Sequence, residues 1–161
     1  MELLIRLFVW LSRWAKVLSR LGIVRYDRWA PGKKLKILLV GYNGARNTGA
    51  DARVVALVDQ LKEEFGAEKI ELTVMTLNPE LTQGYFEEDV HILPFPTFFC
   101  WALFRAASSH HAAILCEGST LTHTFADVLS MFFCQAAGIM KRQGKPCIAY
   151  GSEVGEMTPY L

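Results

Sequence analysis

Residues 35–53 constrain this chain more than any other stretch. An aliphatic run, Ile37-Leu38-Leu39-Val40, ends in a turn carrying Gly41, Asn43, Gly44, Asn47 and Gly49, and an amphipathic helix follows at once. An apolar run without polar alternation suits a strand buried on both faces, as in a parallel sheet. A strand that feeds a small-residue turn and then a helix N-terminus builds a corner that binds anions and substrates. The fold class is therefore α/β, and the chemistry is expected at the strand ends.

The rest of the chain repeats that unit. Strands are expected at 35–42, 70–77, 90–93, 112–116 and 147–150. Helices are expected at 50–65, 97–107 and 121–143, with Asn78-Pro79 stopping the second strand. This alternation predicts a Rossmann-like, doubly wound parallel sheet with right-handed crossovers. Its 161 residues suffice for one domain with a sizeable core. From Phe125 to Met140 the only charge is Asp127, so the last helix is expected to be buried on most sides, by more than this domain supplies. The pattern stops after strand five without a closing helix. That predicts an incomplete domain, the N-terminal part of a longer protein.

The first thirty-two residues read differently, as a basic amphipathic helix and a linker; the Rossmann-like domain follows over 33–161. On a helical wheel of 1–21, Glu2, Arg6, Arg13, Lys16 and Arg20 share one sector. Leu4, Leu7, Phe8, Trp10, Leu11, Trp14 and Leu18 lie opposite. Such a helix can lie in an anionic membrane surface, or it can pack on protein; the pattern allows both. It does not suit a span, because charges recur too often. Those charges also argue against a cleavable signal peptide. Residues 28–34, with Pro31 and Gly32, read as the linker.

A net charge of +1 gives no global basic field, so no nucleic-acid partner is expected. Hydrophobic residues make up 52% of the chain and mean hydropathy is +0.21, richer in apolar side chains than most soluble domains. Cys100, Cys116, Cys134 and Cys147 have no metal-ligand spacing. They are expected to be reduced and buried in a cytoplasmic protein, peripheral at the inner face of the membrane if the helix docks there.

The first turn is neither of the common phosphate-binding motifs. Gly41, Gly44 and Gly49 do not have the dinucleotide spacing, no acidic residue closes strand two, and no Gly-Lys-Ser/Thr occurs. Thr48 and Asp51 have capping-box spacing. Arg46 and Arg53 flank the turn, placed either to hold a phosphate, carboxylate or sugar hydroxyl or to sit in solvent. A second turn, Glu117-Gly118-Ser119-Thr120, follows strand four. Glu117 ends an otherwise apolar strand, where a carboxylate is costly unless a site uses it. Ser119 or Thr120 can cap the next helix or bond a ligand, and His123 just inside that helix suits a structural role. A third turn, Gly151-Ser152-Glu153-Val154-Gly155, follows strand five. Strands one, four and five thus send glycines and polar groups to one rim.

Three segments in this order resemble the N-terminal half of the polysaccharide pyruvyl transferases. They are the turn from Gly41 through Asn43, Gly44, Asn47 and Gly49 to Asp51 and Ala52; Cys116-Glu117-Gly118-Ser119 with Leu121; and Gly144-Lys145-Pro146 through Gly151 to Gly155. The likeness covers about residues 35–157. Ala50, Glu117 and Glu156 depart from it: the family often has Asp at the first, Gly at the second and Pro at the third.

The resemblance implies the first half of a two-domain fold like that of the two-Rossmann (GT-B) glycosyltransferases, with a cleft between the domains. It implies transfer of enolpyruvate from phosphoenolpyruvate to two hydroxyls of a cell-surface polysaccharide sugar, giving a pyruvate ketal. Phosphoenolpyruvate is then the donor substrate, and no cofactor or metal is expected. The acceptor would be a sugar or lipid-linked oligosaccharide. The basic clamp and general-acid His would come from a C-terminal domain or partner subunit, without which this chain would be inactive. Asn43, Arg46, Asn47, Asp51, Glu117 and Ser119 are the expected substrate-binding residues, and no catalytic residue is assigned. Two other readings share the architecture: a nucleotide-sugar glycosyltransferase domain and a non-catalytic Rossmann binding module.

Overall fold

The computed structural model describes residues 25–87, 89–95, 99–116, 118 and 127–156, and residues 3, 6, 7, 10, 14, 17 and 21 nearer the N-terminus. The strands are β1 (Leu35–Asn43), β2 (Ile70–Thr76), β3 (Val90–Pro94), β4 (Ala112–Leu115) and β5 (Cys147–Ala149). The helices are α1 (Thr48–Phe65), α2 (Pro79–Thr82), α3 (Phe99–Ser109) and α4 (Asp127–Arg142), with a short 3-10 turn at Ala67–Lys69. All strand pairs are parallel, in the order β3-β2-β1-β4-β5. The expected α/β, Rossmann-like sheet is what forms.

Alternation along β1 sorts the core into two layers. Ile37 and Leu39 face α1 and pack with Val54, Leu57, Val58 and Leu61. Leu38 and Val40 face the other way, against Leu103 and Phe104 of α3 and Phe132, Phe133, Ile139 and Met140 of α4. Burying one such side chain stabilises by roughly 1.5–3 kcal/mol. Strand order leaves β1 in one direction through α1 and β2, and in the other through β4, α4 and β5. Right-handed crossovers then require helices on opposite faces, as found. The order reverses between β1 and β4, so the ligand crevice of an open α/β sheet belongs outside their C-terminal ends.

Several boundaries differ from expectation. β1 runs one residue further, to Asn43, and α1 starts two residues earlier, at Thr48. Asn47, not Thr48, is the N-cap: its side-chain oxygen accepts from the Ala50 N–H at 3.4 Å. Asn78-Pro79 stops β2 and also starts α2, with Asn78 Oδ1 accepting from Glu80 and Leu81 N–H. From Ser130 to Arg142, where Lys141 is the one exposed residue, α4 is covered by the sheet and α3. The start expected for that helix, 121–126, lies outside the described residues, and Cys100 is described only as a helical residue of α3. Cys116 is buried and forms no disulfide among the described residues, but Cys134 and Cys147 are only partly covered, because α4 and β5 turn those positions toward the margin of the core. Among the described residues, no helix is long and apolar enough to cross a membrane.

Candidate functional site

The C-terminal end of β1 is irregular. Its pairing with β2 shifts between Leu39 and Asn43, which brings Asn43 opposite Thr76. Asn43 is buried there, and its Nδ2 donates to the Met75 carbonyl at 2.9 Å. Its Oδ1 has no donor among the described residues. A buried amide oxygen without a donor is costly.

Gly44 follows with φ of +74°, a conformation that L side chains rarely adopt. A Cβ there would collide with Thr76 Oγ1 and sit 2.7 Å from the Asn78 carbonyl. Thr76 Oγ1 lies 2.6 Å from Thr82 Oγ1 and donates to the Asn43 carbonyl at 3.1 Å. This buried hydroxyl pair holds the turn against α2. The Gly44 N–H points at α1 and donates to Asp51 Oδ1 at 3.2 Å. The other Asp51 oxygen accepts from the Tyr85 hydroxyl at 3.4 Å. Arg46 has a positive φ of +56°, which costs a non-glycine residue roughly 1–2 kcal/mol. Such strain clusters at ligand clamps.

Beside this turn runs an open groove of about 610 Å³. Arg46, Thr48, Asp51, Asp59 and Tyr85 supply its polar lining, and Ala52, Val55 and Ala56 its apolar wall on α1. Carboxylates, a guanidinium and an aromatic ring around a small-residue wall suit a polyhydroxylated ring, whose hydroxyls need acceptors and whose carbon face needs apolar contact.

A second corner closes the β4–β5 side. Arg53, in the second turn of α1, donates from Nη1 to the Gly151 carbonyl at 2.7 Å. Its guanidinium also lies over Gly118, where a Cβ would come within 3.0 Å of Nη1. The Glu153 N–H donates to the Gly118 carbonyl. Arg53 therefore ties the turns after β4 and β5 to α1.

Of the expected site residues, Asn43 and Asp51 are brought together around Gly44. Arg46 and Asn47 sit on the exposed part of the turn, and Asn47 is used as the helix cap. Glu117 and Ser119 lie outside the described residues, as do Thr120 and His123. Sequence reasoning missed Tyr85 and the Thr76–Thr82 pair, and it left Arg53 between solvent and ligand. The one signal for Arg53 was its place near the start of α1, at the end of the helix closest to the rim. Among the described residues, no group of three His, Cys, Asp or Glu side chains is placed to hold a metal ion.

No family model, curated protein or solved structure matches this chain.

Proposed function

We propose that this chain is the acceptor-side half of a pyruvyl transferase-like enzyme of GT-B-like build, acting on a sugar of a cell-surface polysaccharide. One observation carries the reading. The three segments that resemble that family are far apart in sequence, yet their turns, at residues 41–49, Gly118 and residues 151–155, lie at the C-terminal ends of β1, β4 and β5 on one rim of the sheet. The first turn is tied to α1 through Asp51, and the other two are tied to α1 through Arg53.

The chemistry asks two sugar hydroxyls to bond to C2 of phosphoenolpyruvate. One hydroxyl proton ends on C3, turning the methylene into a methyl group, and the other leaves with the departing phosphate. The acceptor side must orient two neighbouring hydroxyls and accept their hydrogen bonds. The groove carboxylates Asp51 and Asp59 offer acceptors, and Tyr85 offers a ring. Proton donation to C3 and neutralisation of the donor's charges belong to a C-terminal half or partner subunit.

Saturation-transfer NMR of the full chain, with simple pyranosides, phosphoenolpyruvate and uridine-diphosphate glucose, tests this. Pyranoside ring protons are expected to receive saturation, and uracil protons none. Asp51→Asn keeps an acceptor for the Gly44 N–H but loses the charge. It should weaken sugar binding roughly tenfold or more while leaving stability nearly unchanged. Saturation of the uracil ring would favour a nucleotide-sugar enzyme instead, and sugar binding indifferent to Asp51→Asn would remove this groove from the reading.

A further inference from the structure

We propose that the N-terminal segment docks this chain on an anionic lipid surface. The inference goes beyond the transferase reading and does not rest on it. Six apolar side chains of the segment, Leu3, Leu7, Trp10, Trp14, Val17 and Leu21, are exposed, from 43% for Val17 to 80% for Leu3. They alternate at steps of four and three, which places them in one stripe along a helix. Residues 3, 6, 7, 10, 14 and 17 are helical, and the Leu21 N–H donates to the Val17 carbonyl at 3.0 Å. None of the six belongs to either layer of the core. Trp10 and Trp14 meet edge to face, with centroids 5.7 Å apart, inside the stripe itself.

Charge chooses the occupant. Residues 1–34 hold eight Lys and Arg against two acids, a net of +6; residues 35–161 hold nine against fourteen, a net of −5. The near-neutral total conceals a strongly basic end on an acidic domain. Arg6, Arg13 and Arg20 recur every seventh residue, so on a helix they form a cationic column beside the apolar stripe. A second copy fits poorly, because a paired seam is flanked by opposite charges. Glu2 is the only acid before Asp27, so two such helices would bring arginine columns with no acidic column to meet them. An anionic bilayer matches both features: acyl chains suit the stripe, and headgroup charge suits the net +6 of this end. Tryptophan is the residue that favours this boundary.

The test is co-sedimentation of the full chain with vesicles of phosphatidylcholine alone or with a third of phosphatidylserine. Anionic vesicles are expected to bind at least tenfold more tightly, and raising salt from about 0.1 to about 0.5 M should weaken that binding. Trp10→Ala with Trp14→Ala should lower it tenfold or more. Arg13→Gln and Arg20→Gln should each lower it roughly fivefold. Lys141→Gln, which removes an exposed cation on α4, should leave it unchanged. Equal binding to both vesicles, binding to neither, or loss on Lys141→Gln equal to that on Arg13→Gln would overturn the proposal. So would a dimer in sedimentation equilibrium that Trp10→Ala dissociates while vesicles bind nothing.

Discussion

At the scale of single residues, the site is organised by what glycine permits at position 44. Gly32 and Gly44 both have positive φ, +87° and +74°, but their surroundings differ. Nothing lies within 4 Å of a Cβ built at Gly32. At Gly44 that Cβ meets Thr76 Oγ1 and the backbone carbonyl of Asn78, which belongs to the α2 cap and cannot swing aside. Gly32→Ala should therefore cost only the left-handed strain, about 1 kcal/mol. Gly44→Ala should cost at least about 3 kcal/mol, since strain and a backbone clash add. Urea unfolding of both variants measures the difference, and equal losses would show that the Gly44 turn moves freely. The same turn shows what could be read from sequence. Asn43 and Asp51 were legible because a glycine turn and a helix start lie within a few positions of each other. Tyr85 was not, because it reaches Asp51 from 34 positions away. Nothing local in Gln83-Gly84-Tyr85 marks it as a partner of α1.

Among the labelled elements of the described residues, the five strands and helices α1, α3 and α4 were legible because their apolar residues recur at the right period. What failed were starts and short pieces. α2 has four residues, too few for any periodicity, and Asn78-Pro79 carries two messages at once: no further strand pairing, and a capped helix with Pro at its first position. At α1 the capping-box spacing pointed to Thr48. The cap is instead Asn47, which has extended backbone (φ −94°, ψ 96°) and aims its oxygen at the Ala50 N–H. Asn47→Ala should therefore cost about 1 kcal/mol, while Thr48→Ala, one place inside the helix, should cost a few tenths at most. Thermal unfolding of the pair decides which residue caps α1; the reverse ranking would restore Thr48. The large apolar content of α4, odd for a helix at a surface, is explained by α3, whose Leu103, Phe104 and Ala107 pack against it over β1 and β4. That packing joins helices separated by a strand and a turn, so no local pattern announces it.

For the whole molecule, the two rims of the sheet have different work. The C-terminal rim carries the glycine turns, and the opposite rim is held shut by a polar cluster. Asp27 pairs with Lys36 at 3.2 Å and lies 3.4 Å from His111 Nε2, and its N–H donates to the Ser108 carbonyl. This pins the chain before β1 under α3. Lys145, leading into β5, is buried and donates to the Ala107 and Ser108 carbonyls at 2.7 and 2.9 Å, ending α3 with a cation. Burial pushes its pKa from the ordinary 10.5 down to about 8; Asp27 opposes that shift and Arg28 adds to it. The unfolded chain then keeps this proton up to about pH 10.5, while the folded one releases it near 8. Between those values the unfolded state binds more protons, so Lys145 makes stability rise with pH, by at most about 1.4 kcal/mol per pH unit. Cys147 works the other way. Burial raises its thiol from 9.0 to about 11, which favours the folded state below pH 9 and is lost as pH climbs toward 11. The window from about pH 7.5 to 9 therefore reports mainly on the lysine. Over it, wild type should gain roughly 1 kcal/mol relative to Lys145→Met in denaturant unfolding. The lost hydrogen bonds to α3 shift the variant by a constant and leave that slope untouched. A difference that stays flat across the window would mean that Lys145 remains fully charged at the base of the fold, with its ammonium hydrated rather than enclosed.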